Sequence, residues 1–264
     1  MSEAVFEFSA SGMTPLPPQQ LYPLPTLVSD SWLVTEGLTV SWEKHVERFF
    51  RSVLGETEIP RDTLKAFVHE VHARTPDAGR WFPRVEVVSH PEGHRLRYRH
   101  RRAPESQATA VLARAPHDPR TRPRVKGPDL EELLALRTAV APSGATEAII
   151  VDAQDRIVEG AYSTVMVWPA HTDRVCVIDP TLPRLPSVTE AVLVEIARTQ
   201  EVEVGETLTS VDELQDAEVW VVSALHGVRL ATAFIEGPGL NTDPERSARW
   251  RALWHQAARP PTLP

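Results

Sequence analysis

Apolar residues recur at both helical and strand spacing through the first hundred residues. Residues 43–54 have the 3.6-residue spacing of a helix, carried by Val46, Phe49, Phe50, Val53 and Leu54. A second helix is predicted after Pro60. Strand patterns fall at residues 30–42, 81–90 and 94–102. Because residues 35–37 favour a hairpin turn, this half is predicted to be α/β with a short meander.

The second half also mixes the two patterns. Helices are predicted at residues 128–140, 187–199 and 243–257, and strands at 147–152, 157–168 and 218–225. Two segments have neither period. Residues 14–25 contain five prolines and are predicted to form an extended surface arm. Residues 102–124 are irregular except for a short strand at 110–112, which is typical of a linker.

The predicted fold class is therefore α/β with mixed (α+β) sheets in two domains. A smaller N-terminal domain is predicted at 1–113, an interdomain linker at 114–125 and a larger C-terminal domain at 126–264. Among 264 residues, the formal net charge of −8 argues against a surface devoted to nucleic acid or anionic membranes. No apolar run reaches the roughly 18–20 residues of a membrane span. With one cysteine, Cys176, and no signal-peptide pattern, we expect a cytoplasmic protein.

Histidine and arginine clusters give weaker signals. His69 and His72 are three positions apart rather than the four of a zinc-binding helix, so no metal site is predicted. Alternation places most of the arginines of residues 95–102 on one strand face. In an acidic protein, such a face is more typical of a small-anion site or a solvated surface than of nucleic-acid binding.

Lys126 and Glu159 have the chemistry of a carbonyl-cofactor enzyme. Lys126 follows a basic stretch, and a partly desolvated lysine near other cations can act as a nucleophile. Its position alone favours a solvated loop lysine. Glu159 lies in an apolar strand, where a carboxylate needs a cation such as a protonated pyridine nitrogen. Gly160 would let a flat ring approach, and an edge-strand glutamate facing water is the alternative.

Two further features have the chemistry of phosphate binding. The helix opening at residues 185–190 offers free N–H groups and the hydroxyls of Ser187 and Thr189. Ser187 and Glu190 are also an ordinary capping box. Arg48 lies on the first helix, where the pattern favours a surface arginine. An imine-forming amine, a ring-nitrogen partner and phosphate donors are together what pyridoxal 5′-phosphate (PLP) requires.

At these residues the sequence resembles the class IV, or fold-type IV, aminotransferases over about residues 30–234. The matching stretches are HVERF, VKGPDLEELLALR, ATEAIIVDAQDRIVEGAYSTVMVW, LPSVTEAVLVEIA and VWVVSALHGVR. These stretches are most similar to those of aminodeoxychorismate lyase-like members. They are also similar to those of branched-chain aminotransferase-like members. The resemblance implies a two-domain D-amino acid aminotransferase-like fold, PLP as cofactor and a homodimer.

The resemblance also implies a role for each matched residue. It makes Lys126 the catalytic Schiff-base lysine, Glu159 the partner of the pyridine nitrogen and Arg48 a phosphate contact. Other implied cofactor contacts are Ser187, Val188, Thr189 and Ser223, and implied contacts to the substrate carboxylate are Arg102 and then Arg99.

The implied function is transamination of an amino-acid substrate. The first alternative uses the same residues: aminodeoxychorismate lyase, which makes 4-aminobenzoate and pyruvate in the folate pathway. Three departures from the family pattern motivate a second alternative, a non-catalytic relative that binds a small anion. Ser187 replaces a glycine, Glu190 an arginine, and Val34 stands where a polar active-site residue often occurs. A carboxylate at Glu190 should oppose phosphate binding unless it points away.

Overall fold

The structure is a computed structural model that describes residues 3–20 and 23–263. In chain order, the strands are β1 (Ala4–Ser9), β2 (Gly12–Leu16), β3 (Thr26–Ser31), β4 (Val34–Thr35), β5 (Leu38–Val40), β6 (Arg80–Trp81), β7 (Arg84–His90), β8 (Gly93–His100), β9 (Thr109–Arg114), β10 (Glu147–Val151), β11 (Ile157–Gly160), β12 (Thr164–Trp168), β13 (Val175–Ile178), β14 (Val204–Thr207), β15 (Glu218–Ser223), β16 (Gly227–Ile235) and β17 (Ala258–Arg259). The helices are α1 (Trp42–Glu56), α2 (Arg61–Arg74), α3 (Leu130–Val140), α4 (Val188–Thr199) and α5 (Pro244–Gln256). This mixture confirms the predicted α/β class.

The chain forms two compact units. The first comprises Met1–Glu105, Val125–Pro128 and Ala257–Pro264, and the second comprises Ser106–Arg124 and Asp129–Gln256. The predicted boundaries differ from this division. Strand β9 lies inside the second unit's sheet, between β10 and β16, so residues 109–113 of the predicted N-terminal domain belong to a central strand of the second unit. The segment around Lys126 joins the first unit because its backbone bonds to β3, and β17 joins it by pairing with β5.

The first unit contains two sheets and two helices. A five-stranded antiparallel sheet has the order β2-β1-β8-β7-β3, and a four-stranded sheet has the order β17-β5-β4-β6. The predicted hairpin is confirmed between β4 and β5, with positive φ angles of 49° at Glu36 and 74° at Gly37. Apolar faces of α1 and α2 pack into the core through residues such as Phe49, Val53 and Phe67. One face of α1 is therefore held against β3.

The predicted proline-rich arm differs from the structure in part. Its residues 14–16 lie in β2, which pairs with β1 at the edge of the five-stranded sheet. An edge strand tolerates proline because one side of it needs no hydrogen-bond donor. Residues 21 and 22 of the predicted arm lie outside the described residues.

The second unit contains an eight-stranded mixed sheet in the order β11-β10-β9-β16-β15-β12-β13-β14. The single strand predicted at 157–168 is two strands, because a turn in which Gly160 N donates to Ser163 O separates β11 from β12. Helix α5 packs on β16, and its Trp250 lies against Trp168 and Trp220 at ring-centroid distances of 5.6 and 5.5 Å. Of the described helices, none is both long and apolar enough to cross a membrane.

Candidate functional site

A buried ionic cluster joins β3 to α1 in the first unit. Asp30 accepts hydrogen bonds from Arg48 Nε and Nη2 at 2.8 Å each, and from His45 Nδ1 at 2.8 Å. Residues 45 and 48 lie on the same helix face, three positions apart. Arg48 is 7% exposed, so its interpretation as a surface arginine is wrong. Burial alone would raise the pKa of Asp30, but Arg48 and His45 hold it well below its usual range.

The backbone of Lys126 is fixed beside this cluster. Its carbonyl accepts a hydrogen bond from Ser29 N, at 2.6 Å, in β3. The following Gly127 has a φ of 138°, and a Cβ there would lie 2.8 Å from Ser29 N. Only glycine combines that conformation with so close an approach. Gly127 therefore lets the segment carrying Lys126 lie directly on β3.

The amine of Lys126 lies in a positive environment. Its pKa is lowered to about 8, chiefly by burial and then by the nearby Arg48, while Asp30 opposes the shift. The charges of Arg84 and Arg101 also lower this pKa. At neutral pH, a group with this pKa has on the order of a tenth of its molecules in the neutral, nucleophilic form. Lys126 is half-buried and its backbone is bonded to β3, which argues against the interpretation as a solvated loop lysine.

The arginines of β8 and the residues after it have different partners. Arg99 donates from Nε to Glu86 Oε1 at 2.7 Å, and Arg102 lies over the Trp81 ring, 3.9 Å from its centroid. Arg101, which the sequence analysis did not select, donates from Nε to the Phe82 carbonyl at 2.6 Å. Arg101 also donates from Nη2 to Ser31 Oγ at 3.3 Å, and its charge lowers the pKa of Lys126. Strand alternation had grouped Arg101 with Arg99 on one face, without indicating that Arg101 acts on Lys126.

In the second unit, Glu159 is a buried carboxylate with a donor on each oxygen. It is 7% exposed, so its interpretation as an edge glutamate facing water is wrong. Arg120 Nη1 donates to Oε1, and the backbone N–H of Leu185 donates to Oε2 at 3.2 Å. Burial raises the pKa of Glu159, and Arg120 opposes that shift. Arg120 is thus a cationic partner that sequence reasoning missed.

The turn after Glu159 explains the small residue there. A Cβ on Gly160 would overlap the Ser163 side chain, so the bare side of Gly160 accommodates this turn rather than a flat ring. The missing side chain allows Gly160 N and Ser163 O to form the hydrogen bond, 2.8 Å long, that closes the turn. Glu159 is thereby held at the end of β11.

Helix α4 begins with the predicted cap. Ser187 is its N-cap, and the side chain accepts a hydrogen bond from Glu190 N at 3.2 Å. The carboxylate of Glu190 accepts two hydrogen bonds from Arg184 Nη1, each 3.0 Å. Burial raises the pKa of Glu190, and Arg184 opposes that shift. The N–H groups of Val188 and Thr189 in the first turn have no acceptor within the helix, so they can bind an anion.

Ser223 ends β15 at a tight turn in the same unit. Its Oγ accepts a hydrogen bond from His226 N at 3.4 Å, and Gly227 follows with a φ of 63°. A Cβ on Gly227 would lie 2.7 Å from the Trp254 ring. The turn therefore has little freedom to move. Within residues 3–20 and 23–263, no three side chains of His, Cys, Asp or Glu are grouped to hold a metal ion.

Each unit carries its own set of functional groups. Lys126 offers an amine that can form an imine with an aldehyde. Thr189 and the start of α4 offer phosphate donors, and Glu159 offers a negative charge to a ring cation. These are the functional groups that the sequence analysis selected.

Comparisons with known proteins give the following similarities. Residues 27–234 match the model of the family described as amino-transferase class IV. Comparison with curated proteins finds no match. The fold is similar to that of a fold IV-transaminase from Curtobacterium pusillum, with 17% identity, a TM-score of 0.78 and coverage of 96% of this chain and 99% of that chain.

Two further solved structures are similar in fold. A hypothetical aminotransferase from Mycobacterium tuberculosis, in the form with alpha-ketoglutarate and PMP bound, has 20% identity and a TM-score of 0.77, over 96% of this chain and 98% of that chain. The same protein has been solved in a PLP-bound form. A branched-chain amino acid aminotransferase from T.th., complexed with N-(5′-phosphopyridoxyl)-L-glutamate, has 14% identity and a TM-score of 0.77, over 96% of this chain and 93% of that chain.

Proposed function

Because the chain belongs to the class IV aminotransferase family, whose cofactor is PLP, we propose that it transfers the amino group of an amino-acid substrate with Lys126 as the catalytic amine. The observation that carries this proposal is the position of that residue, whose backbone is bonded to β3 at Ser29, next to the Asp30 that binds Arg48. The pKa of the Lys126 amine is lowered to about 8 by burial and by Arg48. A lysine in this state can both attack an aldehyde and accept a proton near neutral pH.

The residues present fit the cofactor. When bound, PLP supplies an aldehyde that reacts with amines and a pyridinium ring that accepts the electron pair of a deprotonated carbon. Lys126 Nζ would hold the cofactor through its aldehyde carbon and, with the amino-acid substrate bound, would accept the proton of the substrate Cα. The buried carboxylate of Glu159 would stabilise the proton on the ring nitrogen.

The proposed phosphate contacts are the residues that match the family pattern. Arg48 is one of them, with its guanidinium held in place by Asp30. The N–H groups at the start of α4 and a hydroxyl at the end of β15 are the other proposed contacts, from Ser187, Val188, Thr189 and Ser223. Arg102 and then Arg99 remain the proposed contacts to the substrate carboxylate. The homodimer and the cytoplasmic location remain predictions.

Covalent capture tests the proposal. Purified protein mixed with PLP and reduced with borohydride should gain the mass of one pyridoxyl phosphate on the peptide that contains Lys126. Lys126→Ala should lose this mass, and it should also lose the visible absorption band of PLP bound to the lysine as an imine. Lys65→Ala changes an exposed residue of α2 and should keep both the mass and the band. A chain that PLP leaves unchanged would instead support the non-catalytic relative.

Product assays separate the two reactions. A transaminase should convert amino donors to keto acids in single turnovers and leave the cofactor aminated. A lyase should instead form 4-aminobenzoate and pyruvate from aminodeoxychorismate and no keto acid from amino donors. This result would overturn transamination in favour of the lyase reaction. Both assays use the same PLP-loaded protein, so they compare pocket specificity and not cofactor content.

A further inference from the structure

Arg120 is a buried cation that bridges two carboxylates of the second unit. Its Nε and Nη2 donate to the two oxygens of Asp118 at 2.8 and 2.7 Å. Its Nη1 donates to Glu159 Oε1 and to the Pro183 carbonyl, the latter at 2.9 Å. The Arg120 side chain is only 2% exposed. This guanidinium therefore has fixed acceptors on three of its nitrogens.

The bridge determines where the Glu159 carboxylate lies. A planar guanidinium presents its donors in fixed directions, and Asp118 fixes the plane by binding two of them. The remaining donor then meets Oε1 of Glu159, while Leu185 N–H meets Oε2. Neither oxygen can move without breaking a hydrogen bond in a buried place.

The bridge also sets the charge of Glu159. A buried carboxylate without a cation tends to take up a proton, and burial does raise the pKa of Glu159. The charged side chains that act in this cluster are Asp118, Arg120, Arg184 and Glu190, and His117 acts on Asp118. Arg184 is already engaged by Glu190, which leaves Arg120 as the arginine that bonds directly to Glu159 among the described residues.

We propose that Arg120, oriented by Asp118, is a positioning residue that keeps Glu159 ionised and directed at the cofactor ring nitrogen. This inference rests on the role proposed above for Glu159. Arg120 touches neither substrate nor ring in this scheme. Arg120 acts through the proton affinity of Glu159. Its removal should therefore change the pH dependence of the visible spectrum of the bound ring, and not simply the amount of folded protein.

The test compares pH titrations of the visible spectrum of the PLP-loaded protein, and pH profiles of kcat, in matched variants. In Arg120→Gln, Glu159 should take up a proton at higher pH, so the acid limb of both profiles should move up by about 1–3 pH units. Arg120→Lys keeps a cation and should reverse part of that shift. Asp118→Asn should shift the acid limb in the same direction as Arg120→Gln does, but by a smaller amount. Arg156→Gln breaks an ion pair with Asp152 in the same unit and should leave both profiles unchanged.

A double variant keeps the test valid if Arg120→Gln folds poorly. In the Glu159→Gln background, the carboxylate through which Arg120 is proposed to act is absent, although Asp118 still binds Arg120. Adding Arg120→Gln should therefore change neither the spectral titration nor kcat beyond the Glu159→Gln variant. A further loss in the double variant would mean that Arg120 does not act through Glu159, and would overturn the inference.

The outcomes separate this inference from the proposed function. Glu159→Gln with an unchanged spectrum and an unchanged kcat would overturn the role of Glu159 and the inference with it. Glu159→Gln with a changed spectrum, but Arg120→Gln with unshifted profiles, would overturn only the inference. A shift in Arg120→Gln that Arg120→Lys partly reverses would support it.

Discussion

Arg48 of α1 and Asp30 of β3 form a two-point ion pair, with Nε–Oδ2 and Nη2–Oδ1 distances of 2.8 Å. Both members act on Lys126 in opposite directions, because Arg48 lowers the pKa of its amine and Asp30 raises it. The pair therefore joins the first helix to the sheet and also balances the charge around the proposed catalytic amine.

Replacing Asp30 by Asn should destabilise the protein. Arg48 would then lack the carboxylate that binds it at two points, and breaking a buried ion pair by removing one partner typically costs about 3–5 kcal/mol. Urea unfolding at neutral pH measures the loss. Asp62→Asn, in the exposed first turn of α2, is the control and should cost less than about 1 kcal/mol. An equal, small loss in both variants would contradict the assigned importance of the pair.

The ion pair between Arg48 and Asp30 should also affect how the protein unfolds in acid. Because the folded pKa of Asp30 lies below its usual value, its contribution to stability is complete above about pH 4 and is lost as pH falls through the folded value. The difference in unfolding free energy between wild type and Asp30→Asn should therefore shrink as the pH falls below about 4. Unfolding curves at several acid pH values check the direction. A difference that grows on acidification would have the wrong sign.

Gly127→Ala should both destabilise the first unit and displace Lys126. An alanine would have to adopt a φ of 138° with its Cβ 2.8 Å from Ser29 N, and such strain costs about 1–3 kcal/mol. Thermal unfolding and borohydride capture of PLP report the two effects. Gly55→Ala in α1 has no neighbour within 4 Å of the new Cβ and should show no loss. Full stability in Gly127→Ala would mean that the close backbone approach is not required.

Local signals explain which elements the sequence could predict. Helix α4 was predictable because its apolar period starts at a capping serine, Ser187, and the β4–β5 hairpin because a glycine, Gly37, has positive φ in its turn. Only part of strand β9 could be predicted, because its short apolar run is bounded by irregular, proline-rich sequence. Its partners β10 and β16 also come from later in the chain, so its central place in the sheet leaves no local signal.

Partners that are distant in sequence explain which site contacts it could not predict. Asp30 precedes Arg48 by 18 residues, and Arg120 precedes Glu159 by 39, so neither pair leaves a periodic signal. Apart from the family resemblance, Glu159 could be selected only because a carboxylate is unusual in an apolar strand. The structure identifies Arg120 as its partner, whereas pattern alone required only some cation.

The rate at which the apoprotein reacts with PLP should depend on pH through Lys126. The neutral amine is the reactive form, so the rate should rise with pH and level off above the amine's pKa of about 8. An ordinary lysine would give a rate still rising at about pH 9, since its pKa is near 10.4. Stopped-flow absorption across this range measures the midpoint. Lys126→Arg should lack the absorption change that reports the reaction with PLP. A wild-type midpoint above about pH 9.5 would contradict the lowered pKa.

Glu190→Gln should strengthen phosphate binding at α4 while weakening the fold. The variant removes a negative charge from the first turn of the helix and leaves Arg184 without its carboxylate partner. A charge at a helix terminus is worth about 0.3–1 kcal/mol, which corresponds to roughly 2–5-fold tighter binding of an anion. Calorimetric titration of the apoprotein with inorganic phosphate measures the change, and unfolding curves measure the loss of stability. Glu195→Gln removes the same charge farther along the helix and should change phosphate affinity less. If the Glu190 variant binds phosphate no better than wild type, then the anion does not bind at this turn, because a charge so close to Thr189 would be felt by any phosphate held there.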